Sequence, residues 1–234
     1  MANAGGGEPA VVPGQDDAGT ARPGGGAPVT PGLAVRAWRR AVGEVRGHRT
    51  AVVASSVVAV PVTVWGALEA GQPPALLPAL VLLAAVGSAL AVIDARTHRL
   101  PDALVLPSYP VLAVLLAAAS AVGSDGGPLL RALAGGLGLY GAYFLLALAP
   151  SGLGFGDVKL AGLIGAVLGA CGWSELAVGA SAAFLLGGAW AVGLLVTRRA
   201  GRRTAIPFGP FMLGGALVGV IAGPGVLAEV LLLG

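Results

Sequence analysis

The sequence predicts an all-α, polytopic integral membrane protein with about seven transmembrane helices and a cytoplasmic amino terminus, on three observations. The chain of 234 residues is 56% hydrophobic and only 11% charged, where a soluble domain carries about 25% charged residues. With a mean hydropathy of +0.87, its polar surface is too scarce to cover a soluble sphere, and lipid must cover much of it. Apolar runs of near-membrane length then recur from residue 50 to the end, with basic residues gathered on one side of them. The 40 glycines allow membrane helices to approach closely.

Residues 1–32 are rich in Gly, Pro, Ala and Asp and lack apolar periodicity, so they are predicted to be a disordered, solvated tail. They lack the basic start and apolar core of a secretory signal. Residues 33–49 form a basic juxtamembrane segment. Arg36, Arg39, Arg40, Arg46 and Arg49 interleave with Leu33, Val35, Trp38, Val42 and Val45. An amphipathic helix of that kind suits a membrane surface. Nucleic acid is the other partner of a basic patch, and abutment on a membrane span argues against it here.

Residues 50–234 make up the transmembrane domain. Spans are expected at Thr50–Leu68, Ala75–Ile93, Ala103–Val122, Leu129–Leu148, Val158–Trp173, Leu176–Val196 and Phe208 to about Leu233. The fifth is short and is expected to begin below the membrane surface. Pro224, between two glycines, predicts a kink in the last. Of 14 Lys and Arg residues, only Arg131 falls in an outer segment if the amino terminus is inside. That bias sets the orientation and places the carboxyl terminus outside.

Two carboxylates are badly placed for such a chain. Asp94 closes an apolar run, where it opposes the helix dipole. Asp157 opens another, after Gly154-Phe155-Gly156. One helix runs inward and the other starts from the inside, so topology alone puts both at the same cytoplasmic depth. The plain alternatives are an N-cap for Asp157 and an ion pair with Arg96 or Arg99 for Asp94. Asp102, after Pro101 and before the third span, reads as an N-cap. Lys159 could snorkel, bind substrate or neutralise Asp157. The single cysteine, Cys171, admits no intramolecular disulfide and no Cys-x-x-Cys metal site. No metal and no cofactor are expected.

Ile93-Asp94, Leu100-Pro101-Asp102, Gly154-Phe155-Gly156-Asp157-Val158-Lys159-Leu160 and Ile206-Pro207-Phe208-Gly209-Pro210-Phe211 occur in this order on these helix ends. Together they resemble the prepilin peptidases, the type IV leader peptidase family of membrane aspartic proteases of the GxGD type. The resemblance covers roughly residues 81–217. It implies cleavage of the basic leader of type IV prepilins or pseudopilins at the cytoplasmic face, with pilus assembly or protein secretion downstream. By resemblance Asp94 and Asp157 are catalytic, and Gly154, Gly156, Lys159, Pro101 and Asp102 support them. Pro207, Phe208, Gly209 and Pro210 become candidates for the substrate region. The longer members carry a loop with paired cysteines and also N-methylate their product. This chain has no cysteine pair, so methyltransferase activity is expected to be absent.

The chemistry expected of two close carboxylates is that they share one proton. The ionised member is a base toward water and the protonated member polarises the scissile carbonyl. Gly154 and Gly156 would let backbone lie close to substrate. Three other readings compete. A presenilin-like intramembrane protease shares Gly-x-Gly-Asp but has Pro-Ala-Leu after its second aspartate, whereas here both Pro-Ala-Leu runs, from Pro74 and Pro78, precede the two aspartates. A small proton-coupled transporter would use membrane carboxylates as relays, but no inverted repeat is visible. An assembly scaffold would leave the ordered motifs unexplained.

Overall fold

The structure is a computed structural model that describes residues 32–149, 153–197 and 207–232. The expected tail, apart from Gly32, and the Arg198–Arg203 cluster lie outside the described residues. Eight α-helices are present among the described residues: α1 (Leu33–Gly47), α2 (Arg49–Glu69), α3 (Leu77–Thr97), α4 (Asp102–Gly123), α5 (Gly127–Leu148), α6 (Phe155–Cys171), α7 (Trp173–Val196) and α8 (Gly209–Leu232). A 3-10 turn, Pro74–Leu76, leads into α3. The protein is thus an all-α, polytopic membrane protein. Among the described residues six helices are long and apolar enough to cross a membrane: α2, α3, α4, α5, α7 and α8. The remaining apolar helix, α6, has 17 residues. At 1.5 Å per residue it spans about 26 Å, less than the roughly 30 Å hydrocarbon core.

Short as it is, α6 occupies the centre. It packs against α3, α4, α5, α7 and α8, and Leu160, Ala161, Leu163, Val167 and Leu168 are fully buried. An all-round apolar helix belongs inside a bundle, while α2, α5 and α7 present Val57, Leu137, Leu145, Leu185 and Val196 outward, as a lipid-facing surface requires. Two helix pairs are sewn together by glycine. A Cβ on Gly135 would come 2.6 Å from the carbonyl oxygen of Gly165 on the neighbouring helix, joining α5 to α6. One on Gly215 would come 2.6 Å from the carbonyl oxygen of Gly179, joining α7 to α8. Contact this close between helix backbones is open only to glycine.

Several helix ends differ from the expected ones, each for a local reason. Helix α3 runs one turn beyond Ile93. Its last turn is closed by the His98 N–H donating to the Asp94 carbonyl at 2.8 Å, with His98 left-handed at φ 52°. Helix α6 begins at Phe155, three residues early, because Asp157 caps it from within; it ends at Cys171, and Trp173 opens α7. Helix α8 contains Pro224 within its length and begins at Gly209, one residue after the expected Phe208. Helix α1 has the amphipathic character expected of residues 33–49: Arg39, Arg40 and Trp38 are exposed, and Ala41 is buried.

Candidate active site

Asp94 and Asp157 meet in one cleft. Asp94 sits in the last turn of α3 and Asp157 in the first turn of α6, both buried, at 4% and 8% exposure. Each carboxylate is held by a backbone amide. The Gly209 N–H donates to Asp94 Oδ2 at 2.9 Å, and the Gly154 N–H donates to Asp157 Oδ2 at 3.1 Å. Among the described residues Asp94 has no ion pair with Arg96 or Arg99. Asp157 is the third residue of α6 rather than its N-cap. It reaches back to the cap residue Gly154, whose carbonyl accepts the Asp157 N–H at 3.0 Å. Such a cap stabilises a helix start, so Asp157 serves the fold as well as the site.

The two aspartates interact electrostatically and line a cleft of about 620 Å³ with Arg40, Glu44, His98, Arg99, Leu100, Pro101, Asp102, Gly154, Gly156 and Pro207. The arrangement provides two buried carboxylates, each holding one backbone amide, that line the same open cleft. That is what activating a water between two acids demands. Among the described residues no group of three or more His, Cys, Asp and Glu side chains could hold a metal ion.

The supporting residues separate into different tasks. Asp102 is not the N-cap of α4; that position is Pro101, whose side chain has no acceptor to offer the first backbone N–H groups. Asp102 is the first residue of α4, and its Oδ1 accepts a hydrogen bond from Lys159 Nζ at 2.7 Å. Lys159 is therefore committed to Asp102, not to Asp157. Gly156 lines the cleft and also faces Leu100, whose Cβ would lie 2.8 Å from an added methyl. The segment from Pro207 divides: Pro207 faces the cleft and Gly209 binds Asp94. Phe208 joins a ring cluster with Tyr143 and Phe184 at centroid distances of 6.2 and 5.5 Å. Pro210 borders a separate groove with Trp190 and Phe211.

Three contributions escaped the sequence reading. Helix α1 supplies a wall of the cleft through Arg40, Ala41 and Glu44; amphipathicity announced a surface helix, and nothing local said which surface it covers. Tyr143, 2% exposed on α5, packs against Phe208 and lies within electrostatic reach of Asp157. The amide of Gly209 is a backbone group, invisible to residue-type reasoning, although a glycine at a helix start was a usable signal. A Cβ there would stand 2.8 Å from Asp94 Oδ2.

A helical membrane bundle with paired aspartates at one end defines the class: a polytopic membrane protein with a two-carboxylate site. Residues 80–192, which contain both aspartates, match the type IV leader peptidase family. Similar curated proteins, each called prepilin leader peptidase/N-methyltransferase, include one from Aeromonas salmonicida, 35% identical over 173 residues, covering 72% of this chain and 53% of the relative. One from Pseudomonas putida is 34% identical over 161 residues, covering 64% and 52%. One from Burkholderia pseudomallei is 37% identical over 160 residues, covering 64% and 50%. The chain belongs to the type IV leader peptidase family. It spans about half the length of the curated relatives it matches. No solved structure matches it.

Proposed function

We propose that this protein is a membrane-embedded aspartic endopeptidase that removes the leader of type IV prepilin or pseudopilin precursors at the cytoplasmic face, without N-methylating the product. One observation carries the reading. Asp94 and Asp157, far apart in sequence, are both buried, each is pinned by a glycine amide, and both line the same open cleft.

In the proposed reaction the pair shares one proton. The ionised carboxylate takes a proton from a water in the cleft as that water attacks the scissile carbonyl carbon. The protonated carboxylate donates to the carbonyl oxygen. Collapse of the tetrahedral intermediate returns a proton to the leaving amine, which is the new amino terminus, and regenerates the singly protonated pair. The two glycine amides fix the carboxylates through their Oδ2 atoms.

The excess of Arg and Lys on the cleft side of the spans supports a cytoplasmic cleft. The relatives' printed name supports the substrate class. The only cysteine, Cys171, lies at the far end of α6 from the cleft, and the lack of a cysteine pair supports an unmethylated product. The test is coexpression of the chain with a prepilin in membranes. Its expected outcome is a mass loss equal to the leader and a mature amino terminus without a methyl group. An inserted prepilin that stays full length with every pilin class tried would refute the reading.

A further inference from the structure

Three contacts from the stretch that opens α4 converge on the first turns of α6. The Leu100 side chain lies against Gly156, leaving no room for a methyl group. Asp102 Oδ1 accepts from Lys159 Nζ at 2.7 Å. Tyr109 Oη donates to the backbone carbonyl of the same Lys159, also at 2.7 Å. The tyrosine hydroxyl reaches that carbonyl over Gly162, where a Cβ would collide with it. Lys159 is thus held twice by one neighbouring helix, once by its side chain and once by its backbone.

Residues two apart on a helix project about 200° from each other. Lys159 therefore projects from a different face of α6 than Asp157, although its partner Asp102 also borders the cleft. A grip on that face sets how α6 is rotated about its own axis, and so where the Asp157 carboxylate points. An isolated ion pair this exposed, with side chains 28% and 55% accessible, adds little stability; its consequence here is geometric.

We propose that Asp102 and Tyr109 are positioning residues which, by clamping Lys159 from α4, aim Asp157 at Asp94. This deepens the peptidase reading and rests on it for its kinetic arm alone. A displaced catalytic group slows the chemical step and leaves substrate affinity intact. With purified protein and prepilin, Asp102→Asn, Lys159→Met and Tyr109→Phe each lower kcat by about 10-fold with KM unchanged. Asp102→Glu and Lys159→Arg keep most of the rate. The exchange Asp102→Lys with Lys159→Asp recovers activity that either reversal alone loses.

A second readout needs no activity. In a Cys171→Ala background, Asp94→Cys with Asp157→Cys is treated with a short thiol-to-thiol crosslinker. Adding Asp102→Asn or Tyr109→Phe lowers the yield severalfold. Wild-type kcat and an unchanged yield in both variants would overturn the clamp. So would a rise in KM at constant kcat, which would place Asp102 on the substrate. A lowered yield, together with no prepilin processed by the wild-type chain, would uphold the clamp and refute the peptidase reading.

Discussion

The two ends of the bundle each bury a carboxylate, and the difference between them separates structure from chemistry. At one end Asp94 and Asp157 are 4% and 8% exposed; at the other Glu175, in the first turn of α7, is 5% exposed. Both Glu175 oxygens are taken by side chains, Oε1 by Gln72 Nε2 at 2.8 Å and Oε2 by Ser174 Oγ at 2.7 Å. Its backbone is walled in by α8, where a Cβ on Gly223 would come 2.6 Å from the Glu175 Cα. The aspartates, by contrast, each receive one backbone hydrogen bond among the described residues and look into a cleft of about 620 Å³. Burial alone therefore does not distinguish the two ends. The proposed mechanism asks in addition for a carboxylate that lines space large enough for water and a peptide, as Asp94 and Asp157 do.

The contrast is broken most sharply by neutralising either aspartate at the open end. Asp94→Asn or Asp157→Asn should reduce prepilin cleavage by at least about 100-fold, read as mature pilin per unit time, while the protein stays folded. The next largest effect belongs to the amide donors, and it should be unequal. Gly209→Ala puts a methyl 2.8 Å from Asp94 Oδ2, whereas Gly154→Ala leaves 3.7 Å to Asp157 Oδ2. A displacement near 1 Å costs on the order of 100-fold. Gly209→Ala should therefore cripple cleavage and Gly154→Ala should cost far less; equal losses would remove Gly209 from its role.

At the closed end the expected change is in stability. Glu175→Ala strands the Gln72 amide in the interior and should lower stability by about 1–3 kcal/mol, measured by thermal unfolding in detergent, with the rate per folded molecule preserved. The smallest effect comes from a glycine that no seam uses. Gly141 on α5 has nothing within 4 Å of an added Cβ. Gly141→Ala should raise stability by up to about 1 kcal/mol and leave cleavage unchanged, whereas Gly165→Ala would drive a methyl into the Gly135 carbonyl and loosen α5 from α6.

Much of this arrangement could be read from the chain beforehand. Apolar runs and the placement of Arg disclosed the helical membrane class, and helix direction alone put Asp94 and Asp157 at one end. The limits were physical. A one-dimensional pattern records which residues are apolar, not which helix they meet. It could not show that Lys159 binds Asp102 rather than Asp157, or that Tyr109 reaches a carbonyl 50 residues on. Glu175 lies between the fifth and sixth expected spans, and no local pattern could show its burial, because its partner, Gln72, is 103 residues away. Asp102 read as an N-cap because Pro-Asp before an apolar run resembles one, yet Pro101 holds that position and frees the carboxylate for Lys159. Helix boundaries missed by three or four residues at Asp94 and Asp157, where these two residues themselves extend the helix.

The most direct test of the two-carboxylate claim is one cleavage assay across both ends. Wild type, Asp94→Asn, Asp157→Asn and Glu175→Gln are each coexpressed with the same prepilin, and the leader is followed by mass. Processing by wild type and Glu175→Gln, with none by either aspartate variant, is the predicted result. Processing at the wild-type rate by Asp94→Asn or Asp157→Asn would contradict the account.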